Sequence, residues 1–222
     1  MAPDLSCGAA CVDITPWNRI PGIRLGGFEA DRRATAVLDP LEAGCAWLSD
    51  GGTSLALVTA DSIGLPRPLV ERVRDRLAGR IPDGAAVIVC ATHSHQAPDT
   101  IGLWGRALFG AIPLTSGADP VYLEALVDRL VSLVITAYRA AEPASVRAAR
   151  FDVPADWCRN DRRGGAKDDF GIALAFDAPD GRRIATLANF AAHPETLWEG
   201  NTLVSADFPG AFRRRVRETT AG

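Results

Sequence analysis

Histidine is scarce in this chain, with three in 222 residues, and the scarcity makes their placement informative. Basic excess is absent too. With a formal net charge of −3 the composition offers no surplus of cations to neutralise phosphates, so no nucleic-acid partner is expected. No apolar run approaches the about 20 residues that span a bilayer, so no transmembrane segment is expected. The opening MAPDLSCGAACVDITP has neither a basic n-region nor a long apolar h-region, so no signal peptide is expected. The five cysteines (Cys7, Cys11, Cys45, Cys90 and Cys158) are odd in number and form no C-x-x-C pair. That pattern fits reduced thiols in a cytoplasmic setting better than a disulfide framework. Cys7 and Cys11 lack a second pair to complete a metal site, and Cys90 reads as a small buried strand residue rather than a nucleophile. Internal repeats, low-complexity tracts and linkers are missing as well, which leaves residues 1–222 as one domain. The 47% apolar and 23% charged residues are ordinary for a globular chain.

What is present is a pair of apolar runs that both end on histidine. Ala85 to Asp99 reads AAVIVCATHSHQAPD, a strand-like run followed by His93 and His95; Ile184 to Ala192 is a second run, followed by His193. Successive side chains of an extended segment point to opposite faces, so His93 and His95 are expected to share one face. Strand ends in α/β sheets border the crevice where ligands bind. Imidazole is the commonest metal ligand, and zinc hydrolases typically combine three protein ligands with a water. Two readings follow: three hydrogen-bonded histidines at strand ends, or one divalent-metal site at which those ends meet.

The rest of the chain predicts a mixed α/β fold. Residues 8 to 15 read as a strand stopped by Pro16, and Trp17 to Pro40 as a long ordered loop, of a length that is usually either functional or disordered. Asp50-Gly51-Gly52 joins strands Gly44 to Leu48 and Ser54 to Ala60 as a hairpin. A helix from about Pro68 to Ala78 carries the stripe Leu69, Val70, Val73 and Leu77 and stops at Gly79. The run Ala85 to Ala91, apolar at nearly every position, predicts a central strand buried on both faces. Gln96 to Gly117 reads as a loop or lid over the site. Asp119-Pro120 opens the clearest helix, with core positions Leu123, Leu126, Val127, Leu130, Leu133, Val134 and Ala137. Ser145 to Val153 reads as a strand, and residues 171–177 and 182–190 as a second hairpin that delivers His193. Arg159, Asn160, Arg162 and Arg163 form a cluster that is either solvent-facing or substrate-orienting. Ser205 to Arg217 reads as a polar cap leading into a basic helix. The fold class expected is thus α/β, with mixed β-sheet, β-hairpins, flanking helices and a metal site at strand ends.

Several blocks together resemble the N-terminal catalytic region of the neutral/alkaline non-lysosomal ceramidase family, including its smaller bacterial relatives of unassigned substrate. They are ACVDITP (Ala10 to Pro16), LDPL (Leu38 to Leu41), LVTAD (Leu57 to Asp61), ATHSHQAPD (Ala91 to Asp99), the Asn160 to Arg163 segment, ANFAAHP (Ala188 to Pro194) and SADFPG (Ser205 to Gly210). The H-x-H and N-F-x-x-H-P blocks are the specific ones. The resemblance implies a catalytic Zn2+ with His93 and His193 among its ligands, His95 as a substrate or transition-state contact, and an active-site arginine at Arg162. It also implies a supporting role behind the metal for Asp207.

Two departures accompany it. Gln96-Ala97 stands where the family usually has Ser-Gly. The family's remaining zinc ligands, a glutamate and a tyrosine, and its proposed catalytic serine lie downstream of the region matched, so the resemblance implies a domain incomplete at its C-terminus. Glu195, Asp61 and Asp99 are the local carboxylates available as substitutes. The function implied is zinc-dependent hydrolysis of an N-acyl amide, with a small-molecule or lipid N-acyl substrate of the sphingolipid type. The alternatives are another metal-dependent esterase or hydrolase on the same scaffold, or a non-catalytic truncated relative.

Overall fold

The computed structural model describes residues 5–110, 112–154, 156–162 and 164–220. It is a mixed α/β fold with several sheets and flanking helices. The strands are β1 (Ser6–Asp13), β2 (Ala36–Val37), β3 (Glu42–Ser49), β4 (Ser54–Ala60), β5 (Ala86–Ala91), β6 (Ala107–Leu108), β7 (Ile112–Pro113), β8 (Glu142–Pro143), β9 (Ser145–Asp152), β10 (Phe170–Asp177), β11 (Arg183–Phe190) and β12 (Leu203–Val204). The helices are α1 (Arg67–Leu77), α2 (Pro120–Arg139) and α3 (Asp207–Thr220). No helix among the described residues is long and apolar enough to cross a membrane.

The main sheet has the order β5-β4-β3-β1-β8 and is antiparallel except for the β4–β5 pair. Local chemistry accounts for its centre. Asp50 Oδ1 accepts from Gly52 N and Thr53 N at 3.0 and 2.7 Å, and Gly51 takes the left-handed conformation (φ +86°), which closes the β3–β4 hairpin. The β4–β5 connection must cross over to run parallel, and α1 supplies the crossover. Its stripe of Leu69, Val70, Val73 and Leu77 is buried as expected, and Gly79 follows at φ +70°.

α2 lies across the sheet. Asp119 caps it by accepting from Val121 N and Tyr122 N, and Leu126, Val127, Leu130 and Val134 enter the main core with Trp47, Val58 and Val87. Gly8 on β1 is what lets the helix approach, because a Cβ there would lie 2.1 Å from Ala137 O. Cys7, on the opposite face of β1, joins a smaller cluster with Ala144 and Phe176. That cluster belongs to the second sheet, order β11-β10-β9, which is antiparallel throughout.

One expectation is corrected here. β5 is an edge strand, and its burial alternates: Val87 is buried, whereas Ala86, Ile88 (46% exposed) and Cys90 are exposed. An apolar composition suits burial on both faces, but only the face toward α1 and α2 is covered among the described residues, since the second sheet packs on β1. Cys90 is accordingly not the buried residue expected.

Candidate metal centre

The chain leaves β5 at Ala91 and β11 at Phe190, and the three histidines lie in the loops that follow. Their arrangement differs from simple strand alternation. His93 adopts a left-handed backbone (φ +68°), so the segment is not extended where the H-x-H pair sits. The turn nonetheless brings His93 and His95 to one place, with ring centroids 5.1 Å apart.

Polar contacts between loops hold this arrangement. Thr92 N donates to Ala60 O, and His95 N donates to Pro194 O at 3.2 Å, which links the H-x-H loop directly to the His193 loop. Ser94 Oγ donates to Ser205 O at 2.9 Å, and Ser205 N donates to Gln96 O. Asp207 heads α3 with φ +56°; its Oδ1 accepts from Thr196 Oγ1 at 2.7 Å, three residues beyond His193. The acidic residue of the closing block therefore braces the His193 loop, and its Oδ2 is buried with no hydrogen-bond partner among the described residues.

One ligating atom from each of His93, His95 and His193 falls within 4.8 Å of the others. The ring centroids of His193 lie 4.8 Å from those of His93 and 4.5 Å from those of His95. His93 Nδ1 lies 2.5 Å from Ile63 O. A carbonyl only accepts, so Nδ1 carries the proton and Nε2 presents its lone pair, the usual posture of a metal-ligating imidazole. His95 Nε2 and His193 Nε2 are 2.6 Å apart, so these two ring nitrogens meet at the centre of the cluster. Burial, and after it the neighbouring His193, His93 and Arg32, pushes His95 down to about 4. It is therefore neutral at pH 7. Three imidazoles, each with a ring nitrogen within 4.8 Å of the others, fit a divalent cation by the chemistry of the donor set.

The nominated carboxylates are distributed differently. Asp61 is buried and receives both terminal guanidinium nitrogens of Arg213, with Nη1 to Oδ1 at 2.9 Å. Asp99 accepts from the amides of Ile101, Gly102 and Trp104 and shapes the turn after the H-x-H loop. Neither belongs to the cluster. Glu195 is nearer, with Oε2 3.9 Å from His95 Nδ1, beyond hydrogen-bond length. Arg162 sits in an exposed turn in which its amide donates to Asn160 Oδ1 and its carbonyl accepts from Gly165 N; among the described residues it bonds none of the three histidines. Arg163 lies outside the described residues. The Gln96 to Gly117 stretch contains the small β6–β7 hairpin and meets the 25–31 loop through Asp31 N to Trp104 O and Gly26 N to Ala97 O.

Sequence reasoning missed Arg32. Only 9% exposed, it donates from Nη1 to Gln96 Oε1 (2.7 Å) and Asn201 O (2.6 Å), and from Nη2 to Gly26 O (2.9 Å) and His95 O. Gln96 in turn donates to Trp198 O at 3.0 Å and accepts from Asn201 Nδ2 at 3.0 Å. One cation thus ties together the loops carrying Phe28, His95 and Trp198. Gly27 is the second omission: it has φ +74°, and a Cβ on it would lie 2.3 Å from His95 Nδ1, so only glycine lets the loop pass. An arginine among several in an apparently structureless loop gives no periodic signal, although the length of that loop was itself a hint of function.

No family model matches the chain, and no curated protein matches it. Solved structures do. The neutral ceramidase from Pseudomonas aeruginosa is 18% identical with a TM-score of 0.71, and a ceramidase complexed with C2 is 19% identical with a TM-score of 0.73. In each case the match covers 93% of this chain and 34% of the other, so the chain spans about a third of the length of the structures it resembles. At this identity the likeness establishes a shared fold.

Proposed function

We propose that this chain carries the metal-binding part of a zinc-dependent amidohydrolase acting on an N-acyl substrate, a small molecule or a lipid of the ceramide type. The observation that carries the reading is the convergence of three imidazoles, His93 and His95 from one loop and His193 from another 98 positions beyond His95, on a fold shared with ceramidases. His93 and His193 are the ligands in this reading. A bound zinc ion would supply Lewis-acid polarisation of the acyl carbonyl.

The chain's own residues supply the rest. In this reading His95, neutral at pH 7 and within hydrogen-bond reach of His193, would take the proton of a water that attacks the acyl carbon and return it to the amine as the C–N bond breaks. Arg162 is the residue to which this reading assigns the offsetting of negative charge developing on the acyl oxygen, although its turn is exposed and, among the described residues, bonds none of the histidines. Asp207 holds the His193 loop through Thr196. The domain that this reading assigns is the N-terminal catalytic region of a ceramidase-like enzyme, with further ligands supplied from elsewhere.

One observation favours a second reading, a relative that binds metal without catalysis: among the described residues no carboxylate joins the three imidazoles. Metal analysis and an assay panel separate the two. Zinc near one equivalent, lowered at least tenfold in His93→Ala and in His193→Ala, together with hydrolysis of N-acyl amides, supports the enzyme. Zinc without turnover of any amide, ester or phosphoester supports the second reading, and full zinc occupancy in both variants rejects the site.

A further inference from the structure

Beside the histidine cluster stand two aromatic rings that no role assigned so far uses. Phe28 meets His95 edge to face, with centroids 4.8 Å apart, and Trp198 stands 5.6 Å beyond Phe28 at a 57° tilt. The three rings form a row leading outward from the centre. Trp198 is 59% exposed, so much of its indole is open to a ligand. Both aromatics take left-handed backbone, φ +55° at Phe28 and +61° at Trp198, a conformation that bulky residues adopt only when their surroundings enforce it. Contacts from Gln96 and Arg32 hold both loops. Gln96 Nε2 holds Trp198 O, Arg32 holds Gly26 O, and the Arg32 guanidinium lies 5.3 Å from the Phe28 ring centroid.

We infer that Phe28 and Trp198 form a subsite that receives a flat aromatic group on the acyl side of the substrate, next to the carbonyl held at the histidine centre. The inference rests on the metal-hydrolase reading and narrows its substrate class. Two tilted rings with an open indole face suit an offset-stacked or edge-to-face third ring. The groups bonded to or packed on this row are polar: Gln96 on Trp198 O, Asn201 on Gln96, and Arg32 over Phe28. The exposed apolar side chains Leu103 and Leu114 belong to the neighbouring 96–117 stretch, so an octyl probe tests whether an alkyl chain is taken instead. Gln96 is a positioning residue here. It touches Trp198 only through the backbone carbonyl, and it occupies the position where the resembled family usually has serine.

Binding of three hydroxamates to the zinc-loaded full chain, measured by calorimetry, tests this. Acetohydroxamate reports on the centre alone, phenylacetohydroxamate adds a ring, and octanohydroxamate adds an alkyl chain. The expected result is phenylacetohydroxamate about tenfold or more tighter than acetohydroxamate, and tighter than octanohydroxamate. Trp198→Ala should erase that preference and leave the acetohydroxamate affinity unchanged, whereas Trp198→Phe should restore most of it. Since Trp198 is exposed, these variants should fold. Equal affinities for all three probes, a preference that survives Trp198→Ala, or octanohydroxamate binding tightest would overturn the subsite while leaving the metal centre standing. A chain that loads no zinc would overturn both.

Discussion

The face of the main sheet that carries α2 and the rim that carries the histidines are stabilised by different means. Against α2, the sheet buries leucine, valine and alanine at regular spacing, and the polar groups involved are local ones such as the Asp119 cap. At the rim, three loops are held by long-range hydrogen bonds to carbonyls and by one buried cation, Arg32. Six non-glycine residues have positive φ among the described residues, and four of them, Phe28, His93, Trp198 and Asp207, lie at or beside the histidine centre. Each such conformation costs about 1–3 kcal/mol. The apolar side supplies stability, and the rim consumes part of it to hold rings and nitrogens in place.

The largest effect that should separate the two regions comes from the core. Leu126→Ala, at a fully buried position, should lower unfolding free energy by about 3–5 kcal/mol in urea titrations while folded molecules keep their metal stoichiometry. Arg32→Ala should cost less stability, about 2–3 kcal/mol, because hydrogen bonds from a buried cation are lost; it should also weaken zinc binding in chelator competition by tenfold or more. That opposite ordering of stability and metal affinity is what the comparison requires. Smaller still, Thr196→Val removes the hydroxyl bonded to Asp207 and should cost about 1 kcal/mol, with a few-fold loss of zinc affinity. Asp119→Ala should likewise cost about 1 kcal/mol, but with zinc affinity unchanged.

Acidification sharpens the contrast through His95. Its imidazole is held down to about 4 by burial and the neighbouring histidines and Arg32, whereas in the unfolded chain it titrates near 6.5. Between those values the unfolded chain binds the extra proton, so stability rises with pH across the window. The His95 contribution is fully present above 6.5 and declines as pH falls toward 4. Urea titrations of metal-free protein at pH 7, 5.5 and 4.5 should show this decline, and His95→Gln should reduce it.

The same division explains what could be read from the chain. The capped helix at Asp119, the stripe of α1, the Asp50-Gly51-Gly52 hairpin and the hairpin ending in β11 follow from signals within a few residues of one another, and all appear. The meeting of His93, His95 and His193 was also legible, because only three histidines exist and each follows a strand. The backbone turn at His93 was not, since extended geometry gives the same grouping for a different reason. Nor was the edge position of β5, because an apolar composition does not say what covers it. Arg32, Phe28 and Trp198 gain their meaning only from loops that meet across 60 to 170 positions, where no periodicity reaches.

Cobalt(II) loading tests the convergence of the three imidazoles most directly, because its visible absorption reports the ligands around one ion. The proposed centre predicts one equivalent of cobalt with a d–d spectrum that His93→Ala and His193→Ala each abolish or shift. Cobalt binding with a spectrum unchanged in both variants, or no binding above background, would contradict a shared centre.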